Sequence, residues 1–204
     1  MKKLLLAVVI SIGLSLGAGA QSKFSIGPNA GVGASWLDNT PNRKTKLAGN
    51  VGLSLVYSAA EHFGVGLDAK YSFEGGKYSA ATNQNTTADL NYFRVPLKAI
   101  YFFGSYGNRV RPKLYAGPSF GFLAGGKTTV VTPVVTQTIE SKDVFKSFDF
   151  GVTAGAGLNI RLVKNTWFNA DLNYLHGITD LQKNNNGNSH NRNLGVNVGV
   201  NFGL

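Results

Sequence analysis

From Lys23 onward, apolar side chains fall on every second position in one segment after another, and this period of two dictates strands where a helix would need 3.6. In FSIGPNAGVGASW, Phe24, Ile26, Pro28, Ala30, Val32, Ala34 and Trp36 share one face, and Gly, Ser and Asn fill the other. The pattern returns in LAGNVGLSLVYS (Leu47–Ser58), HFGVGLDAKYSFE (His62–Glu74), YFRVPLKAIYFF (Tyr92–Phe103) and KLYAGPSFGFLAG (Lys113–Gly125). It continues in FDFGVTAGAGLNIRL (Phe148–Leu162), FNADLNYLHGI (Phe168–Ile178) and NLGVNVGVNFGL (Asn193–Leu204). That makes eight strands and no convincing helix.

The connections alternate in length. Asp38–Lys46, Glu74–Asp89, Gly126–Val144 and Thr179–Asn193 are long and polar, whereas Ala59–Glu61 and Val163–Asn165 are tight and Gly104–Arg111 is intermediate. An even strand number with short turns at one end and long loops at the other predicts an all-β, eight-stranded antiparallel up-and-down transmembrane β-barrel, with both termini on the periplasmic side. The polar face decides which side meets lipid. It is mostly Gly, Asn, Ser and Thr with isolated charges, where a water-facing barrel would carry many Lys and Glu. Small residues suit an eight-stranded interior, which leaves just enough width for side chains. The aromatics gather towards the strand ends: Trp36, Tyr71, Phe73 and Phe93 at the outer interface, and Tyr57, Phe63, Tyr101, Phe168 and Phe202 at the inner one, as two girdles require. Pro28, Pro96 and Pro118 fall inside strands, where a closed barrel has no free edge, so bulges are expected there. GPNAGVG (Gly27–Gly33) echoes GPSFGFL (Gly117–Leu123), a weak internal repeat.

The first residues, MKKLLLAVVISIGLSLGAGAQS, have a basic start at Lys2 and Lys3, an apolar run and a small-residue site at Ala18-Gly19-Ala20. This predicts a signal peptide over 1–20, cleavage before Gln21 and a barrel over 21–204, exported to the outer membrane of a Gram-negative bacterium. The apolar run is short of the roughly 20 residues that span a bilayer as a helix. There is no cysteine, hence no disulfide framework and no thiolate metal site. The formal charge of +10 falls to +8 without Lys2 and Lys3. Its bases are dispersed, and export argues against a nucleic-acid partner; solvated loops and acidic lipid headgroups account for them more simply.

GFLAGGKT (Gly121–Thr128) has the spacing of a phosphate-binding loop. Such a loop needs a helix after it, whose first amides and dipole hold the phosphates. The β-branched TTVVTPVVTQT that follows contains Pro133, so the match reads as chance and no nucleotide is expected. The inward charges form the more informative set. Asp68, Asp149 and Asp171 share the interior with Lys70, Arg94, Lys98, Lys113 and Arg161. Unpaired charge in so narrow a space is costly, so these predict a lumen ionic network, either a structural plug or the lining of a small anion-preferring pore. Among the histidines, His62 sits beside a turn and His190 in the loop NNNGNSHNR. His176 points outward near the upper rim, where Ser119 or Ser147 is the candidate partner in a lipid-modifying site, without a defined base and orienter. No metal site and no cofactor are expected.

Taken together, YFRVPLKAIYFF, YAGPSFGFLAGGK (Tyr115–Lys127), FDFGVTAGAGLNI (Phe148–Ile160) and DLNYLHGITDL (Asp171–Leu181) resemble the PorT-like outer-membrane β-barrel proteins common in Bacteroidetes. The resemblance covers essentially the whole segment after residue 20. It departs at Asn173, where the family more often has arginine, and at the terminal Leu204, where an aromatic is usual. The expectation is a non-enzymatic, monomeric barrel with a plugged lumen in contact with outer-membrane lipid, acting through its loops or periplasmic turns. The resemblance implies a supporting part in envelope assembly or secretion, with envelope or secretion proteins as partners, for at least some of the family.

Overall fold

The computed structural model describes residues 23–80, 83–183 and 188–204. The signal segment therefore lies outside the described residues. The chain forms β1 (Phe24–Leu37), β2 (Lys46–Ser58), β3 (Phe63–Ala80), β4 (Gln84–Phe102) and β5 (Val110–Gly125). These are followed by a short hairpin, β6 (Lys127–Val131) and β7 (Thr136–Glu140), then one helical turn, α1 (Ser141–Val144). β8 (Phe148–Val163), β9 (Thr166–Gly177) and β10 (Asn191–Gly203) complete it. Every wall strand pairs antiparallel with its neighbours, and β10 returns to β1 from Ser25↔Gly203 to Leu37↔Asn191, closing an eight-stranded barrel.

Closure follows from the alternation. Leu53, Phe63, Leu67, Phe93, Leu114 and Leu172 stand exposed on the outer surface, while Ser54, Asp68, Arg94, Lys113 and Asn197 are buried inside. The outer aromatics form two bands. Phe24–Tyr57, Phe63–Tyr101 and Tyr101–Phe103 pack at the end with short turns, with ring centroids 4.6, 5.1 and 5.0 Å apart. Tyr71–Phe73 and Phe122–Phe148 pack at the other, at 5.2 and 5.5 Å. The strand between Phe63 and Phe73, rising roughly 3.3 Å per residue and tilted by about 40°, spans about 25 Å, the height of the apolar band that lipid requires.

Three expectations are corrected. The segment Glu74–Asp89 is not simply a loop: β3 and β4 continue their pairing from Glu74↔Leu90 out to Ala80↔Gln84. Gly126–Val144 is likewise structured, because β6 adds to the upper part of β4 (Thr86↔Val130) and turns back as β7. Nor do the prolines sit at bulges. The register shifts lie at Asn91/Tyr92 and Arg161/Val163. At Pro28, Pro96 and Pro118 the register runs through unchanged, with rungs absent on one side only: towards β10, β3 and β4 respectively. An antiparallel residue directs its N–H to a single neighbour, so each proline sacrifices one bond and leaves its other ladder intact.

The Gly-Pro echo then acquires a structural meaning. A Cβ on Gly27 would collide with the Val200 carbonyl, and one on Gly117 with the Leu97 carbonyl. In both cases the colliding carbonyl belongs to the residue that the neighbouring proline would face in the interrupted ladder. Glycine lets the adjacent backbone close in where proline cannot bond.

Candidate functional site

The interior is built in layers. Nearest the long loops, Arg94 of β4 is held between two carboxylates. Its Nε and Nη2 donate to Glu74 Oε1 and Oε2 at 2.8 and 2.6 Å, and Nη2 also donates to Asp149 Oδ2 at 2.8 Å. Ser72 Oγ donates to Glu74 at 2.6 Å, and Asn191 Nδ2 donates to Glu74 Oε2. Glu74 is 1 % exposed and Asp149 is fully buried, so their charge is compensated within the protein. The fork of a guanidinium matches a carboxylate bidentately, which is why arginine and not lysine suits this bridge. Gly121 faces the Arg94 guanidinium and leaves it room.

One layer deeper, Lys98 Nζ donates to both oxygens of Asp68 at 2.8 Å, and Lys70 approaches the same carboxylate at 3.1 Å. The Lys98 ammonium also lies 5.2 Å from the centre of the Tyr115 ring, whose phenol occupies the space Gly155 leaves by lacking a side chain. Lys113 joins Asp171 at 3.1 Å and Asn169 Oδ1 at 2.8 Å. Seven of the eight charges expected in the lumen network therefore meet in ion pairs. The eighth, Arg161, lies apart from them. It stands at the short-turn mouth, with its guanidinium 5.8 Å from the Trp167 ring centre and Nη2 on the Gly107 carbonyl at 2.9 Å.

Glu74 is the member that sequence reading left out, although it continues the alternation of Asp68, Lys70 and Ser72. Including it and removing Arg161 changes the arithmetic. Asp68, Glu74, Asp149 and Asp171 face Lys70, Arg94, Lys98 and Lys113, four against four. The cationic excess that suggested an anion-preferring lining is absent from the middle of the barrel. The free volume there is small, two cavities of about 40 and 30 Å³, each large enough for only a water or two.

Above the Glu74–Arg94–Asp149 layer sits an apolar cap. Leu37, Leu90, Tyr92, Leu123, Phe145 and Leu181 form a buried cluster at the long-loop end. Phe145 follows α1 and Leu181 comes from the β9–β10 connection, so the loops fold over the mouth. They are fastened there by Arg192–Asp38 at 3.1 Å, Lys46–Asp89 at 2.5 Å and Lys146–Asp180 at 3.0 Å. Asp180 also accepts from the Ser189 and Gln182 amides at 3.0 and 3.2 Å. Desolvation pushes this carboxyl's pKa up, but the Ser189 amide, Lys146 and the Gln182 amide together hold it below the ordinary aspartate value.

The remaining candidates separate in space. His176 is exposed on the outer surface of β9, and its Nδ1 lies 3.4 Å from the Tyr174 hydroxyl. Ser119 is fully buried and faces the lumen, on the opposite side of the wall. Ser147 is exposed in the approach to β8. His62 contacts the Phe102 carbonyl, and His190 the Thr179 carbonyl. The phosphate-loop spacing resolves into the end of β5, a corner at Gly126 with φ of 130°, and β6; no helix follows it. Among the described residues no group of three or more metal-ligating side chains is assembled.

The model of the family described as outer membrane protein beta-barrel domain matches residues 19–183. The chain belongs to this family. As an outer-membrane β-barrel protein, it has solved structures of the same shape for comparison. Outer membrane protein OprG from Pseudomonas aeruginosa is 16% identical with a TM-score of 0.55, covering 90% of this chain and 97% of its own. Neisserial surface protein A is 15% identical with a TM-score of 0.52, over 91% of this chain and all of its own. The outer membrane enzyme PagL is 15% identical with a TM-score of 0.50, over 85% and 97%. Identities this low speak to the barrel fold alone. No curated protein sequence matches significantly.

Proposed function

We propose that this outer-membrane barrel is a closed, non-enzymatic, monomeric scaffold of the PorT-like branch, supporting envelope assembly, secretion or surface interaction through its loops. The observation that carries the reading is the charge-balanced lumen beneath an apolar cap, with cavities of only about 40 and 30 Å³ among its charged layers. A barrel filled in this way works through what it displays. The most elaborate display is the β6–β7 hairpin, whose Val131, Val134, Val135 and Ile139 are exposed, Val134 at 93 %. Branched apolar side chains exposed on a hairpin suit contact with another protein. The placement of Ser119 and His176 on opposite faces of the wall favours this reading over a lipid-modifying one.

The test is single-channel recording from the refolded chain in a planar bilayer. Folded protein that carries no steady current is the expected result. A steady current with anion preference, altered by Asp149→Asn, would overturn the closed-scaffold reading and restore the pore.

A further inference from the structure

The short-turn end of the barrel contrasts with the capped end: it opens into a cavity of about 260 Å³, walled by residues of β1, β2, β4, β5, β8, β9 and β10. Its charges are of one sign. Lys23, Arg111, Arg161 and Lys164 line it, and none forms an ion pair among the described residues. A fifth cation, Lys113, turns away towards Asp171. The acidic neighbour of Arg111 is Glu61, whose carboxylate accepts the Tyr106 amide at 3.1 Å at the rim.

The two arginines are held in place without a salt bridge. Arg111 is 3 % exposed, and its guanidinium lies 4.8 Å from the Phe102 ring centre and 5.1 Å from that of Tyr106. Its Nη2 donates to the Glu61 carbonyl, while Nε is buried with no acceptor. Arg161 is fixed in the same manner by Trp167 and the Gly107 carbonyl. A protein gains nothing in stability by collecting four cations without salt bridges around a concavity, since their mutual repulsion opposes folding. Guanidinium groups anchored by ring faces and backbone carbonyls are preorganised to donate their remaining N–H groups to an oxyanion. The rest of the lining is amide-rich: Asn159, Asn165, Asn169 and Asn201 line the same cavity as Trp167. Amides beside an aromatic face suit hydroxyl groups and a flat apolar ring surface.

We propose that this periplasm-facing vestibule binds a small phosphate ester bearing hydroxyl groups. A phosphate is favoured over a single carboxylate because its tetrahedral oxygens can accept from more than one wall of the cavity at once, and in a monoester its charge of about −2 also answers more of the four cations. Two sources share this chemistry: a soluble sugar phosphate and the headgroup of an anionic glycerophospholipid.

The sequence has two tryptophans, so Trp36→Phe leaves Trp167, on the cavity wall, as the reporter. This variant is refolded in an uncharged detergent and titrated with glucose 6-phosphate, against glucose and against sodium chloride at equal ionic strength. The expected result is a saturable fluorescence change with the ester alone, weakened at least tenfold by Arg111→Gln and by Arg161→Gln. Circular dichroism and heat-dependent gel migration report folding. Lys164→Gln, at an exposed turn, supplies the same comparison if an arginine variant misfolds, with a several-fold weakening expected. No saturable change, an equal change with glucose, or indifference to the substitutions in folded protein would overturn the proposal. Repeating the titration in nanodiscs of phosphatidylglycerol and of phosphatidylcholine separates the sources. Loss of the response only in phosphatidylglycerol assigns the site to the headgroup; its persistence assigns it to the soluble ester.

Discussion

At the scale of single residues, Glu74 shows how a buried charge network depends on completeness. Removing one member leaves the others desolvated and unmatched, at a cost of about 3–5 kcal/mol, whereas replacing a whole ionic group with neutral side chains of similar size costs far less. Glu74→Ala should therefore lower the urea midpoint of the refolded barrel markedly, with Arg94 left facing Asp149 alone. The triple change Glu74→Gln, Arg94→Met and Asp149→Asn should recover most of that loss. If the triple variant is weaker than the single one, pairing is not what holds this layer. Gly117 supplies a second residue-scale expectation. Gly117→Val would drive a branched side chain into the Leu97 carbonyl, and overpacking of this kind costs about 1–3 kcal/mol or more. Equilibrium unfolding of that variant beside Gly125→Val tests it, because a Cβ at Gly125 meets nothing within 4 Å.

At the scale of elements, the wall and the loops differ in how far they could be read. The alternation is legible because each wall strand separates two solvents, lipid and the crowded lumen, so every second residue is constrained. Beyond the membrane both faces become polar, and that constraint lapses. This is why Glu74 read as the start of a loop although β3 runs on to Ala80, and why TTVVTPVVTQT read as irregular although it forms β6 and β7. It is also why Phe145 and Leu181, apolar residues in loops without periodicity, give no sign of meeting in a cap. The hairpin joins the barrel through the short β4–β6 pairing, Asn85↔Val131 to Ala88↔Thr128. Replacing residues 129–138 by a two-residue turn should leave refolding and heat-dependent migration intact. Loss of the folded barrel would mean that the hairpin is part of its core.

The β9–β10 connection carries its own pH dependence. Because the folded Asp180 carboxyl titrates below the ordinary aspartate value of about 3.9, its contribution to loop docking is present above that value. The contribution is lost as pH falls through the lower, folded value. NMR titration of the Ser189 amide, which donates to Asp180, should show a midpoint below 3.9 that disappears in Asp180→Asn. A midpoint at or above 3.9 would contradict the hydrogen-bond argument.

At the scale of the whole molecule, charge is sorted by position. The lumen layers are neutral in sum, the cap is apolar, and unpaired cations collect at the short-turn mouth. Sequence reading located the inward charges but could not rank them along the barrel axis, because period two identifies a face and says nothing of height. On the sequence alone Arg161 is therefore indistinguishable from Arg94. The sorted arrangement predicts how the refolded barrel treats ions: a silent bilayer in conductance, with glucose 6-phosphate still perturbing Trp167 from the periplasmic side. Both behaviours together fit a solid middle; current without ligand response would invert the picture.

Capped above and hollow below, the molecule has the form of a thimble. Whatever meets it from the environment reads only hairpin and cap, and whatever enters its hollow must already be inside the envelope. The two ends share a wall but differ in chemistry, so variation in the outer loops can follow pressures from outside the cell while the inner mouth stays as it is.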